Sequence, residues 1–191
     1  RIIPFASVHP ACSSLYKTTA QIAKSGLKGI KLHPQYQGFF ADDPNVFDIY
    51  KAAADHGLIL MLHAGYDIAY PTDQRAQPHR IAAVARQFPG LRIVAAHMGG
   101  WQDWEQVLEH LAGTDVYFDT SFSIGNSPDD APKHILQEIL NKHSPHRLLF
   151  GTDSPWRKHS VELKALQSLN LPDCVMRAVL WDNAAALLGI S

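Results

Sequence analysis

Six polar side chains, Lys31, His33, His63, His97, Asp119 and Asp153, stand at or just beyond the ends of short apolar runs. The segments are GIKLHP (29–34), LMLHAG (60–65), AAHMGG (95–100), VYFDTS (116–121) and LLFGTDSPW (148–156). Imidazoles and carboxylates are the donors that suit a divalent ion such as zinc. A carboxylate such as Asp153, at the end of a run that reads as buried, is costly unless something pairs with it or binds it. One histidine at a strand end is unremarkable, because half-buried histidines are commonly just hydrogen-bonded. Convergence is less ordinary: five segments would have to bring such groups to one place. Small residues follow His63 and His97, so a ligand can approach either ring closely. Lys31 and His33 are two apart and therefore share one side of a strand.

The elements that would position them alternate along the chain. Nearly continuous apolar runs at 2–8, 29–32, 58–62, 91–96, 116–118 and 148–150 read as parallel strands buried on both faces. Amphipathic stretches lie between and after them, at 13–24, 44–55, 78–88, 101–111, 132–141, 160–169 and 172–188, the last in two pieces. Proline or serine opens several of these, and glycine closes several. Strict alternation predicts a parallel α/β architecture with right-handed crossovers. An open doubly wound sheet and a (β/α)8 barrel both satisfy that. No G-x-G-x-x-G turn follows the first run, and polar groups end most of the strands, where barrel enzymes build their sites. The barrel is the favoured reading.

Composition narrows the classes of function. The chain has 191 residues, 46% of them hydrophobic, enough for one sizeable core. A formal charge of −1 without runs of like charge disfavours nucleic acid or an anionic membrane as partner. Cys12 and Cys174 show no paired spacing and read as reduced thiols of a cytoplasmic protein. No apolar run reaches membrane-spanning length, and no signal peptide is visible. The chain begins at Arg1 within an apolar run and without Met, which raises the expectation of an upstream portion.

The landmarks GLKGIKLHPQYQGF, LMLHAG, FPGLRIVAAHMGGW, VYFDTS, LLFGTDSPW and the terminal DNAAALLGI span nearly the whole sequence. In order and spacing they resemble the amidohydrolase-2 family, metal-dependent hydrolases and decarboxylases of the amidohydrolase superfamily. The resemblance implies a (β/α)8 TIM barrel in which the runs above are strands three to eight. Residues 1–191 would then be a single, N-terminally incomplete barrel domain. It implies that His63 is a metal ligand, that His97 is catalytic, and that Asp153 both binds the metal, most simply Zn2+, and shuttles protons. One departure stands out. The family's first strand carries a His-x-His pair of ligands, and this sequence contains no His-x-His.

Such a site activates water for attack on a C–N or C–O bond of a small organic substrate, with Asp153 exchanging the proton and His97 stabilising the oxyanion. The same residues suit a nonoxidative decarboxylase of an aromatic or related carboxylic acid. A non-catalytic relative or fragment is the third reading, supported by the missing His-x-His. Lys31 reads first as a salt-bridge or substrate-binding lysine and second as a carboxylated metal bridge. His33 and Trp156 join it as substrate-binding candidates. Asp119 either orients a site group or bonds its own turn, and His9 reaches the rim as packing or substrate contact. Trp101, Trp104 and Trp156 read mainly as packing. His56, His110, His143 and His146 read as helix-end histidines, exposed or facing the dipole. The long loops 35–45 and 65–77 suit substrate selection. An open barrel edge would expose unpaired backbone groups, so self-association is expected.

Overall fold

The computed structural model describes residues 2–190. Five parallel strands form one sheet in sequence order: β1 (Gly29–Leu32), β2 (Ile59–Leu62), β3 (Arg92–Ala95), β4 (Tyr117–Asp119) and β5 (Leu148–Leu149). Their register is Leu32 beside Leu62 beside Ala95, with Ala95 beside Phe118 and Asp119 beside Leu149. The run at 2–8 does not become a strand. Only Ala6 pairs, accepting from the Lys31 amide and donating to the Gly29 carbonyl. Pro4 in that run has no amide to give to a ladder.

The helices are α1 (Leu15–Lys24), α2 (Pro34–Gln37), α3 (Phe47–Asp55), α4 (Pro78–Gln87), α5 (Trp104–His110), α6 (Lys133–Lys142), α7 (His159–Gln167), α8 (Asp173–Arg177) and α9 (Asn183–Leu188). The sequence punctuation works as expected at 44–55. The Asp43 carboxylate accepts from the Asn45 amide at 2.9 Å, Pro44 opens a 3-10 turn, and α3 follows. The last stretch is in two pieces, α8 and α9, joined by a π-turn over Ala178–Asp182. Asn183 fixes that end by donating its side-chain amide to the carbonyls of Pro145 and Leu148, at 2.8 and 2.7 Å. Among the described residues no helix is long and apolar enough to cross a membrane.

The sheet is apolar on both faces, which explains the absence of alternation in its strands. Ile30, Leu32, Leu60, Leu62, Ile93, Ala95, Phe118 and Leu148 belong to the main core with the surrounding helices. Ile59 and Val94 form a second cluster with Leu187, bordered by Phe5, Met61, Tyr117 and Leu149. Lys31 is in register with Met61 and so lies on this second face.

His143 departs from the expectation of an exposed helix end. It follows α6 but is buried, stacked on Phe118 at 4.0 Å and 9°, and its Nδ1 accepts from the Gly113 amide. Burial, aided by the nearby Arg147 charge, pushes its imidazole down to about 4.

Candidate active site

Strand register builds the first part of the site. Because Leu32 pairs with Leu62, the next residues, His33 and His63, leave the sheet side by side, with the His63 amide bonded to the Leu32 carbonyl at 3.1 Å. Their rings stack at 4.1 Å with an interplanar angle of 11°. Both continue the face that carries Lys31 and Met61. Gly65, two residues on, has φ +87°, and a Cβ there would collide with the backbone of Trp101. The bridge between Gly65 and Trp101 ties the loop after β2 to the loop after β3.

That tight turn brings back Asp67. Its Oδ2 lies 3.3 Å from His33 Nε2 and 3.9 Å from His63 Nε2, while Oδ1 accepts from the Ala69 amide at 2.8 Å. One ligand atom from each of His33, His63 and Asp67 lies within 4.8 Å of the others, a grouping able to hold a metal ion. His63 Nε2 is buried without any hydrogen-bond partner. Burial lowers the His63 imidazole well below its usual value, with the His97, His33 and Lys31 charges adding to the effect. Burial, then Lys31 and His97, likewise pushes His33 down to about 4. Both rings are therefore neutral at pH 7, the form that ligates metals.

His97 sits not on β3 but in the turn that follows it, with φ +58°. Asp119, at the end of β4, holds that turn: its Oδ1 accepts from the His97 amide at 3.2 Å and from the Ser121 amide at 3.0 Å. Asp119 thus bonds its own turn and orients a site group at once. The same oxygen also takes the Ser121 hydroxyl proton. With its one hydrogen committed, Ser121 Oγ accepts from His97 Nδ1, at 2.9 Å. His97 Nε2 is then an acceptor for His63 Nδ1, 3.3 Å away. This hydrogen-bond network assigns the tautomers, and it leaves His63 Nε2 as a bare lone pair. Burial lowers His97, Lys31 pushes the same way, and Asp119 and Asp153 oppose it.

The remaining candidates divide. Lys31 is depressed by burial and pulled back up by Asp119 and Asp153, so all three share one neighbourhood. Asp153 is exposed and has φ +50°, in the loop beyond β5, so it is not the buried carboxylate that the sequence suggested. Trp156 is 78% exposed and projects into solvent rather than packing. His9, His56 and His146 are exposed, and His110 is half-buried on the outer helices. Trp104 is core, and Trp101 donates to the Asp129 carbonyl at 3.1 Å. Sequence reasoning missed Asp67 and Ser121. Asp67, four residues after His63, carried a signal in its spacing, whereas Ser121 carried none beyond following Asp119 by two.

Aromatic groups flank the histidines. Tyr36 meets His33 edge-on at 4.5 Å and Tyr70 at 5.1 Å. Phe122 stands edge-on to His97 at 6.3 Å, and the Arg157 guanidinium lies over its ring at 4.4 Å. Arg157 also pairs with Asp130 at 2.7 Å and with Glu162 at 3.1 Å, both buried. It thereby locks the loop after β4 to the loop after β5.

Comparison with known proteins adds three findings. A family model described as Amidohydrolase matches residues 14–190. No curated protein matches the chain. Among solved structures, 5-carboxyvanillate decarboxylase LigW from Sphingomonas paucimobilis superposes with a TM-score of 0.71 at 16% identity, covering 98% of this chain and 66% of that one. 2,6-Dihydroxybenzoate decarboxylase from Rhizobium gives 0.71 at 15% identity, covering 99% and 71%. An uncharacterized TIM-barrel protein from Bordetella bronchiseptica gives 0.72 at 21% identity, covering 97% and 66%. The chain therefore spans about two-thirds of the length of these structures and shares their fold over that span.

Proposed function

Since the chain belongs to the amidohydrolase family, we propose that its histidine-lined rim is a metal-dependent hydrolase centre. The observation that carries this reading is the bare, buried Nε2 of His63, at the end of the chain Asp119–Ser121–His97–His63. A buried nitrogen without a partner is costly. A histidine that donates its other ring N–H to a second group is the usual dress of a metal ligand. The donor set of imidazoles and carboxylates fits a divalent ion, with zinc the first choice. In this reading His63 and Asp153 hold the ion, as the family resemblance implies.

A bound divalent ion supplies hydroxide at neutral pH by lowering the pKa of water from about 15.7 to about 7. The chain's own residues do the rest. Asp153, exposed on its loop, accepts the water's proton and returns it to the leaving nitrogen or oxygen. His97, the proposed catalytic imidazole, accepts at Nε2 from His63 Nδ1 3.3 Å away, so to polarise the attacked carbonyl it must turn from His63 and carry a proton at Nε2. Lys31 and His33, on one face of the sheet, are the proposed substrate-binding side chains, and Trp156, exposed on the loop after β5, is the third candidate.

A second reading is favoured by Lys31. A lysine on the site's own face suits a substrate carboxylate, as a nonoxidative decarboxylase requires. The decisive experiment assays the zinc-loaded protein against amides, esters, lactones and aromatic acids, following hydrolysis and carbon dioxide separately. Hydrolysis lost in His63→Ala supports the first reading. Carbon dioxide from aromatic acids without any hydrolysis replaces it with the second. Turnover unchanged in His63→Ala overturns both.

A further inference from the structure

We infer that Arg157, Asp130 and Glu162 form a proton-operated latch on the rim, tight while Glu162 carries a proton and loosened when it loses it. The latch goes beyond the hydrolase reading and stands whichever reaction the rim performs. Its basis is a charge count. Arg157 brings one positive charge and faces two carboxylates, Asp130 at 2.7 Å and Glu162 at 3.1 Å. The side chains of Asp130 and Glu162 are only 4% and 1% exposed. With both ionised, the cluster holds an unmatched negative charge away from water, which is costly. One proton removes it.

Glu162 is the carboxylate that takes the proton. Asp130 is held twice, by the shorter contact to Arg157 and by the Ser127 amide at 2.8 Å on its other oxygen. Glu162 has the longer contact to Arg157. Burial raises its carboxyl above the ordinary glutamate value and the Asp130 charge adds to the rise, while Arg157 and the Phe122 amide oppose it. On its own helix, Lys158, His159 and Lys164 are exposed and leave the count unchanged. The first turn of α7 favours a negative charge, but a helix end offsets only a small part of the cost of an unmatched buried ion.

The proton does not cost the cluster its contacts. A neutral carboxyl still accepts at its carbonyl oxygen, so Arg157 keeps both partners. Without the proton, repulsion between the two carboxylates is relieved by admitting water, and the segments that part are the loops after β4 and β5. Arg157 also covers the Phe122 ring at 4.4 Å, and Phe122 stands edge-on to His97 at 6.3 Å. Asp153 precedes Arg157 on the same loop. A change at the latch therefore reaches both proposed catalytic groups. Its sign follows from the raised carboxyl. The proton's stabilisation is complete below the ordinary glutamate value and is lost as pH rises through the raised one. His33 and His143, buried in neutral form, act in the opposite direction.

The rival explanation is a clamp that stays fully charged at every working pH, and the test that separates the two needs neither metal nor substrate. Carboxyl 13C resonances of the glutamate-labelled chain are followed from about pH 3 to 9, with Glu162 assigned by its absence in Glu162→Gln. Amide hydrogen exchange is measured over residues 120–132 and 150–158 between about pH 5 and 8. Glu162 is expected to titrate above its ordinary value, and about one pH unit or more lower in Asp130→Asn than in the parent. Protection of the two segments, corrected for intrinsic exchange rates, is expected to fall about fivefold or more in the parent as pH rises. It should stay flat in Glu162→Gln, which copies the protonated form in shape and charge. A Glu162 that titrates at or below its ordinary value overturns the latch, as does an unaltered titration in Asp130→Asn. Protection that follows pH equally in the parent and in Glu162→Gln overturns it too. If Asp130→Asn does not fold, the parent titration and the Glu162→Gln comparison decide alone.

Discussion

The imidazoles of His33 and His63 lie face to face at 4.1 Å, and the pairing of Leu32 with Leu62 puts them there. Two side chains far apart in sequence become neighbours through backbone hydrogen bonds alone, before any side chain chooses a partner. Everything proposed for the site starts from that fixed pair.

Ser121 is the first place to test the assigned tautomers. Ser121→Ala removes the acceptor of the His97 Nδ1 proton and frees His97 to rotate away from His63. Partners at this remove from a metal typically account for 10–100-fold in affinity. Zn2+ binding should therefore weaken by about 10–100-fold, read by competition with a chromogenic chelator, while the melting temperature of the metal-free chain changes little.

Removing Asp153 should cost chemistry and metal together, since it is both the proposed proton shuttle and a proposed ligand. Asp153→Asn keeps the size of the side chain but cannot take a proton, so turnover should fall by about 100-fold or more. Steady-state kinetics on whichever substrate class responds would record the drop in kcat, and elemental analysis after desalting would record the lost Zn2+. Full activity in this variant would remove Asp153 from the mechanism.

Gly65 has no room for a side chain. Gly65→Ala combines a left-handed φ with a collision against the Trp101 backbone, and the loop carrying Asp67 must shift. Strain of this kind costs about 1–3 kcal/mol, which urea denaturation would register. Zn2+ binding should weaken in the same variant.

The stability of the chain should fall in mild acid. His143 keeps its proton off until about pH 4, while the unfolded chain takes one up near 6.5. Its contribution is therefore complete above pH 6.5, fades as pH falls, and is gone below about 4, where both states are protonated. His33 adds a slope over the same interval. Each histidine contributes at most about 1.4 kcal/mol per pH unit. Denaturation of His143→Gln between pH 7 and 4 should show a shallower slope than the parent. An identical slope would mean that His143 does not carry the acid sensitivity.

Arg157 offers a structural contrast. Arg157→Met leaves two buried carboxylates, Asp130 and Glu162, without their cation, and should destabilise the chain by about 3 kcal/mol. Trp156→Ala, one residue earlier and 78% exposed, should stay within about 0.5 kcal/mol. Thermal melts of the two variants make the comparison directly.

The parts of this design that follow from the backbone were legible in the sequence. Continuous apolar runs announced parallel strands, and the residues ending them, His33 and His63, met as the alternation predicts. What escaped depended on irregular backbone. Asp67 reaches the histidines only because Gly65 turns the chain back, and Ser121 acts only through the positive φ that places His97. The exposure of Asp153 was hidden for the same reason, since its loop leaves the sheet after the two residues of β5. His143 was misread because a position after a helix does not say whether an aromatic ring, here Phe118, waits beneath it. Pro4 explains why the first apolar run gives a single bridge at Ala6 instead of a strand.

Arg157, lying over Phe122 and gripping Asp130 and Glu162, also bears on how the specificity of this rim can change. Loops on a barrel rim are often treated as independent cassettes, each open to replacement. Here the segment after β4 and the segment after β5 share one cation, so exchanging either alone strands charge in the interior. They should be inherited, and grafted, as a single unit.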